Sequence, residues 1–183
     1  MTFDALQSLL PGVVLKPIVT ADRQETILVD VDRIVDVCRT LRDSPELGFI
    51  LLADITAADF WPREPRFEVV YHLASPTARL RLKVMVPGSS PHVATVQSVW
   101  PAAGWLEREV WDMFGIEFDG HGDLRRLLMP EDWEGHPLRK DFPVQIRLKA
   151  RSSEPLQITE EEFRANLAKD RAARGRGAGQ AGH

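Results

Sequence analysis

The sequence predicts an α+β fold. Helices cover one face of a mostly antiparallel sheet, followed by a long irregular extension and a terminal helix. Three observations carry this reading. Two neighbouring segments alternate strictly, with Phe67, Val69, Tyr71 and Leu73 apolar in the first and Leu80, Leu82, Val84 and Val86 in the second. Residues 31–43 instead repeat their apolar positions at about 100° per residue. Residues 116–156 hold neither period.

The elements follow in order. Residues 25–30 read as a strand running into a helix over about 31–43, with Asp30 as its N-cap. Val31, Ile34, Val35, Val37, Cys38 and Leu41 form the apolar arc of that helix, which makes Cys38 an inert core residue rather than a nucleophile. Phe49 to Asp59 is a strand whose start is apolar at both parities, so it is expected to be buried on both faces. The two alternating segments make an antiparallel hairpin through Ser75-Pro76-Thr77-Ala78. Arg66, Glu68, His72, Arg79, Arg81 and Lys83 fall on its wet face, where His72 reads as a solvated sheet histidine. Pro87 to Pro91 ends the sheet. The spacing of Val93, Val96 and Val99 predicts a helical turn or two. Pro101 then opens a helix over about 101–114 that Gly115 stops.

That helix closes a first domain, residues 1–115. Residues 116–156 are the irregular extension. A stretch of such length without period inside a compact domain is expected to be functional or laid across a partner. Phe118, Leu127, Leu128, Met129, Trp133 and Phe142 make it too apolar for a free linker. Thr159 and Glu162 form a capping box that opens a terminal helix over 157–173, and the Gly/Ala/Arg tail 174–183 has nothing to bury.

Charge and cysteine content exclude several function classes. The net charge is −4, but residues 164–183 carry five basic residues and one acid, which leaves −8 on residues 1–163. An acidic body argues against nucleic acid, whose phosphates need a basic face. Of 23 cations, 18 are Arg, which suits bidentate contacts at interfaces, although genomic base composition explains the bias equally well. Cys38 is the single cysteine, so an internal disulfide or a cysteine-held metal or iron–sulfur site is excluded, and a reducing compartment fits. The N-terminus does not have the basic start and apolar core of a signal peptide. The longest apolar run, Phe49 to Ala53, is far short of the ~20 residues that span a bilayer.

The chemistry-bearing candidates sit on and after the 101–114 helix. Ala103, Leu106, Val110, Met113 and Phe114 share its apolar arc, with Glu107 and Trp111 at the edge. Trp105, Arg108, Glu109 and Asp112 then project from the opposite side, with Glu109 and Asp112 neighbours at i, i+3. Paired acids at that spacing serve as metal ligands, as a general acid/base pair, as a solvated face or as a docking patch anchored by Trp105. An exposed Trp beside mixed charges favours docking. Glu109, Asp112, His121 and His136 could alternatively serve a small metal-dependent hydrolase, although their spacing matches no metal motif. Arg125-Arg126 and Arg139-Lys140 are short basic pairs expected to make interchain salt bridges. Phosphate loops and nucleophile elbows are absent from the sequence.

Trp105-Leu-Glu-Arg-Glu-Val-Trp-Asp-Met-Phe-Gly-Ile116, Gly120-His121, Asp123-Leu-Arg-Arg126, Met129-Pro130 and Glu134-Gly-His-Pro-Leu-Arg-Lys-Asp-Phe-Pro143 together resemble the family of the subunit designated C in NADH-quinone oxidoreductase, respiratory complex I. Gly122 stands where that family's motif has Pro, which frees the local turn. The resemblance implies a cofactor-free peripheral-arm subunit with two principal neighbours. It would pack against the one designated D, which together with the one designated B frames the quinone site. NADH, FMN, iron–sulfur clusters and quinone would then belong to other subunits. Membrane association would be indirect, on the cytoplasmic side of the cell inner membrane. The partner interface so implied comprises Trp105, Arg108, Glu109, Asp112, His121, Arg125, Arg126, Gly135, His136, Pro137, Arg139, Lys140 and Asp141. Related domains occur in membrane-bound hydrogenase complexes, which leaves the electron donor open.

Overall fold

The computed structural model describes residues 2–143, 159 and 161–165. Its elements are α1 (Thr2–Leu9), β1 (Leu15–Ile18), β2 (Thr26–Val29), α2 (Ile34–Asp43), β3 (Leu51–Asp59), β4 (Phe67–Ala74), β5 (Arg79–Val86), β6 (His92–Ala94), α3 (Ala103–Phe114) and β7 (Glu117–Asp119). Five strands form one sheet in the order β1-β2-β5-β4-β3, antiparallel except where β2 meets β5. Strands β6 and β7 form a separate parallel pair. This is the α+β architecture that the alternation and the helical arcs predict.

The hairpin forms where the period of two places it. Phe67 pairs with Val86 and Ala74 with Arg79, so the apolar residues of both strands share one face. Tyr71, Leu73, Leu82 and Val84 are essentially inaccessible there and pack in one core with Ile34, Val37, Cys38 and Leu41 of α2 and Val110 of α3. Burying each large side chain contributes about 1.5–3 kcal/mol, which fixes both helices on that face. The opposite face carries the Lys83–Glu68 ion pair at 2.7 Å and the Arg81–Asp22 pair. Cys38 is fully buried, and burial, with Glu107 nearby, pushes its thiol pKa well up, as an inert core residue requires.

Several local expectations are corrected. Strand β3 is a sheet edge buried on one face only; Leu51 is 55% exposed and Ile50 67%. Apolar residues at both parities mislead there because an edge strand can leave its outer face for something else to cover. Residues Val31–Arg33 form a 3₁₀ turn, so the α-helix starts at Ile34, and the Asp30 side chain makes no capping bond. Val93 lies in β6, paired with Phe118, and only the Val96–Trp100 stretch turns. Three β-branched residues over seven positions fit a strand as well as a helix. Arg66 is buried rather than wet.

The larger correction concerns the extension. The compact unit runs through Phe142. The domain boundary expected at residue 115 is therefore not a break in packing; β7 follows at once, and residues 120–142 lie against the same body. Beyond it, the Thr159–Glu162 capping box is present, with the Glu162 amide 3.3 Å from Thr159 Oγ1 and the Thr159 amide 3.1 Å from Glu162 Oε2, and residues 161–165 are helical. The other residues of the expected 157–173 helix, residues 144–156 of the extension and the tail 174–183 lie outside the described residues. Among the described residues no helix is long and apolar enough to cross a membrane.

Candidate functional site

The residues singled out by sequence converge on the C-terminal end of α3. A helix leaves its last carbonyls without partners, and each must find a donor. Here every carbonyl from Trp111 to Gly115 has one. Gly115 N–H donates to Trp111 O at 2.7 Å. Arg126 Nη1 and His136 Nδ1 donate to Asp112 O at 3.1 and 3.0 Å. Leu138 N–H donates to Met113 O at 3.0 Å, and Arg139 Nε and Nη2 to Phe114 O and Gly115 O at 2.5 and 3.1 Å. Two guanidinium groups thus sit at the negative end of the helix dipole. The segment 120–142 wraps that end, and the helix terminus is its template.

Asp112 anchors the wrap. Its side chain is fully buried. Oδ2 accepts the consecutive amides of Leu127, Leu128 and Met129 at 3.0, 2.7 and 2.9 Å, and Oδ1 accepts Arg126 Nη1 at 2.8 Å. Burial alone would raise the carboxyl pKa, but these amide and guanidinium donors outweigh it and hold the group below its ordinary value. Arg126 Nη2 also donates to Trp133 O and Gly135 O, each at 2.9 Å, and its guanidinium lies 5.3 Å from the Trp111 ring centroid. Burial, with Arg139 and Arg126 nearby, depresses the His136 imidazole pKa against the opposing Asp112 carbonyl bond.

A second anchor holds the end of the wrap. Arg66 forks onto Asp59, with Nε 2.9 Å from Oδ1 and Nη2 2.7 Å from Oδ2, and reaches Asp141 Oδ1 at 2.6 Å. The Lys140 amide donates to Asp59 Oδ2 at 2.8 Å. Arg66 and Arg139 both approach the Phe67 ring, at 4.8 and 5.5 Å. Trp133 stacks on Phe142 at 6.3 Å, which packs the wrap on itself.

This geometry corrects the outward assignment of several residues. Asp112 is inside, and so is Arg108, whose Nε and Nη2 donate to the Arg125 and Arg126 carbonyls at 3.1 and 2.9 Å. Glu107, expected at the edge of the apolar arc, is fully buried. Arg126, Arg139 and Asp141 bond within the chain, and Arg125 pairs with Asp123 at 3.0 Å. The helical wheel puts charges outward by default; a carboxylate met by four donors escapes that default.

Trp105 and Glu109 do face outward, Trp105 at 62% exposure with Arg108 5.0 Å from its ring. Gly135 turns the chain at φ 80°, Pro137 is half-buried, and the Lys140 side chain is exposed. Leu128 and Leu138, more than half exposed on the wrap, were missed by sequence reasoning. Their signal was their place in an aperiodic but apolar segment.

The set proposed for a metal-dependent hydrolase is not assembled. Asp112 spends its oxygens on four donors, Glu109 is outside, His121 Nε2 meets Gly104 O at 2.9 Å, and His136 meets the Asp112 carbonyl. Among the described residues no three His, Cys, Asp or Glu side chains are placed to hold a metal ion.

Gly115 has a measurable role. Its φ of 69° is left-handed, and a Cβ there would lie 2.4 Å from Arg139 Nη2 and from His136 Cδ2. Gly115→Ala is expected to cost about 1–2 kcal/mol from the backbone alone, plus whatever the displaced Arg139 and His136 contacts are worth. Urea unfolding checks this; an unchanged midpoint would show that the wrap does not seat on the helix end as described.

Residues 27–147 match the family model of the respiratory-chain NADH dehydrogenase 30 kDa subunit. The NADH-quinone oxidoreductase subunit designated C from Roseiflexus sp. (strain RS-1) is 56% identical over 121 residues, covering 65% of this chain and 70% of that protein. The subunit of the same designation from Geobacter sulfurreducens is 51% identical over 123 residues, covering 66% and 75%. The match with its Saccharopolyspora erythraea counterpart spans 52% of that protein, so the chain covers half to three quarters of these relatives. Among solved structures, the trypsin-resistant fragment (1-134) of Nqo5 aligns with a TM-score of 0.55 at 30% identity, over 67% of this chain and 96% of that one. A chain of the membrane-bound sulfane sulfur reductase, an archaeal respiratory membrane complex, aligns with a TM-score of 0.66 at 31% identity, over 78% and 84%. On the family model and these relatives, the chain belongs to the 30 kDa subunit family of the respiratory-chain NADH dehydrogenase, the NADH-quinone oxidoreductase.

Proposed function

We infer that this chain is a cofactor-free subunit of the peripheral arm of a proton-translocating NADH-quinone oxidoreductase. It docks on the neighbour designated D, beside the quinone site that the neighbour designated B helps to frame. It supports electron flow from NADH through FMN and iron–sulfur centres in other subunits without carrying out a step itself. It lies on the cytoplasmic side of the inner membrane, attached through the complex. The carrying observation is that the α3 end and its wrap are stiffened by internal bonds yet leave Trp105, Leu128 and Leu138 exposed. Large apolar side chains on a pre-ordered surface are what a stable interface uses as anchors, because little ordering entropy remains to be lost.

Glu109 belongs to the same outward side of α3. Glu109→Ala and Trp105→Asp are expected to lower the amount of chain recovered in the assembled complex while leaving the melting temperature of the free chain nearly unchanged, since exposed substitutions change folding by about 0.5 kcal/mol or less. Affinity purification of a tagged chain from its own cells, followed by mass spectrometry, makes the comparison. Unchanged recovery of iron–sulfur partners with both variants would remove α3 from the interface. The likeness to the sulfane sulfur reductase complex supports a second reading, the equivalent subunit of a respiratory membrane complex with another electron donor, such as a membrane-bound hydrogenase. NADH-dependent quinone reduction by the co-purified assembly separates the two.

A further inference from the structure

Helix α3 holds a second buried acid whose surroundings are the reverse of those of Asp112. Glu107 is fully buried; Oε1 accepts the Val96 amide at 2.8 Å and Oε2 meets the Thr95 hydroxyl at 2.5 Å. Both partners belong to the stretch that leads from β6 toward α3. No guanidinium or ammonium among the described residues is within ion-pair distance of it. The nearest basic group is His121, with Nε2 3.9 Å from Oε2. Its own hydrogen bonds fix its orientation. The Asp123 amide donates to Nδ1 at 3.0 Å, so that nitrogen keeps its lone pair, and Nε2 lies 2.9 Å from the Gly104 carbonyl, which can only accept. These two bonds turn the ring edge toward Gly104 and leave no direct hydrogen bond from it to Glu107. The Cys38 thiol of α2 and the Tyr71 hydroxyl of β4, both wholly buried and the latter without a hydrogen-bond partner, are near enough to feel the charge of Glu107. An anion here would meet two neutral donors in a buried site, with no guanidinium or ammonium among the described residues to balance it.

We propose that Glu107 is a proton-controlled latch: as the neutral acid it ties the β6-to-α3 connection to the helix, and its ionisation loosens the β6–β7 pair and the loop after it from α3. Because His121 of that loop holds the Gly104 carbonyl beside Trp105, the latch also sets the position of the Trp105 end of α3. The latch stands whether or not that end docks on a partner.

Burial raises the Glu107 carboxyl pKa against the Thr95 and Val96 hydrogen bonds and the pull of His121. A group whose pKa is raised by folding gives its full stabilisation below its unfolded value and loses it as pH rises through the folded one. Asp112, lowered by folding, behaves oppositely and loses its contribution as pH falls. One helix is thus limited on the acid side by Asp112 and on the alkaline side by Glu107.

Carbon-13 NMR of the full chain labelled at the glutamate carboxyls tests this. One carboxyl is expected to titrate clearly above the others and to vanish in Glu107→Gln. That variant, which keeps an acceptor for Val96 and a donor for Thr95, should match the native chain in melting temperature at acid pH and exceed it at alkaline pH. Thr95→Val removes one donor to the anion and should push the titration higher still. The proposal is overturned if every glutamate titrates in the ordinary range, if the native chain and Glu107→Gln lose stability in parallel, or, should Glu107→Gln not fold, if Thr95→Val leaves the titration where it was. Failure of the docking assignment would show in partner recovery and not in this titration.

Discussion

Asp112→Ala is expected to lower the stability of the chain by about 3–5 kcal/mol, the range for breaking a buried, hydrogen-bonded ion pair. The substitution removes the acceptor of the Leu127, Leu128 and Met129 amides and the carboxylate of a guanidinium, Arg126, whose side chain is 14% exposed. Three amides lose their acceptor and the Arg126 cation, which keeps only carbonyl partners, loses its counter-charge, and a domain is stable by only about 5–15 kcal/mol in total. The loss should be uneven. The wrap depends on Asp112, whereas the sheet core is held by its own apolar packing, so trypsin should reach Arg125 and Arg126 in the variant before the core unfolds. Asp112→Asn keeps one carbonyl and should fall between the two. Urea denaturation with timed proteolysis checks both parts. A loss below about 1 kcal/mol, as for an exposed ion pair, would mean that the wrap holds without its anchor.

The pH dependence follows from the same group. With its carboxyl held below the ordinary range, Asp112 gives its stabilisation in full above the unfolded value and loses it as pH falls through the folded one. Asp112→Ala should therefore show a shallower acid decline than the native chain.

What could be read from the sequence divides along a physical line. Strands β4 and β5 were legible residue by residue, because one face of a sheet repeats every two positions and nothing else does. Helix α3 was legible for the same kind of reason, and Gly115 marked its end by being the residue that takes a left-handed φ. The wrap was not. Its order comes from single bonds between distant positions, such as Leu138 to Met113 and Arg139 to Phe114, and such bonds leave no period. The sequence signalled only that apolar residues there needed a surface. It was silent on whether that surface belonged to another chain or to α3.

The candidate site was half legible for a related reason. Trp105 and Glu109 were placed outward correctly by the helical wheel. Asp112 and Arg108 were placed outward by the same rule and lie inside, because that rule counts solvation and not donors. Strands β6 and β7, three residues each, are shorter than the window any periodicity needs, and α1 and β1 were not anticipated.

Arg66→Met should be nearly as costly, about 3–5 kcal/mol, and more informative about the end of the wrap. The Arg66 fork neutralises Asp59, whose side chain is inaccessible, and binds Asp141, whose side chain is 44% exposed. Burial raises the Asp59 carboxyl pKa, but the Arg66 fork and the Lys140 and Trp61 amides reverse this and bring it down to about 2. In the native chain that contribution is complete above the unfolded carboxylate value of about 3.9 and is lost only as pH falls through about 2. Without Arg66 the two amides remain but the largest opposing influence on burial is gone, so the loss should begin at higher pH. Arg66→Lys should not rescue it, because one ammonium cannot reproduce contacts made by Nε, Nη1 and Nη2 to two carboxylates. Asp59→Asn combined with Arg66→Met should recover part of the stability, since removing both charges leaves neither buried alone. Acid unfolding of the three variants decides the matter. If Arg66→Met and the double variant lose equal stability, the pair is not coupled, and Asp141 and Lys140 hold the end of the wrap without it.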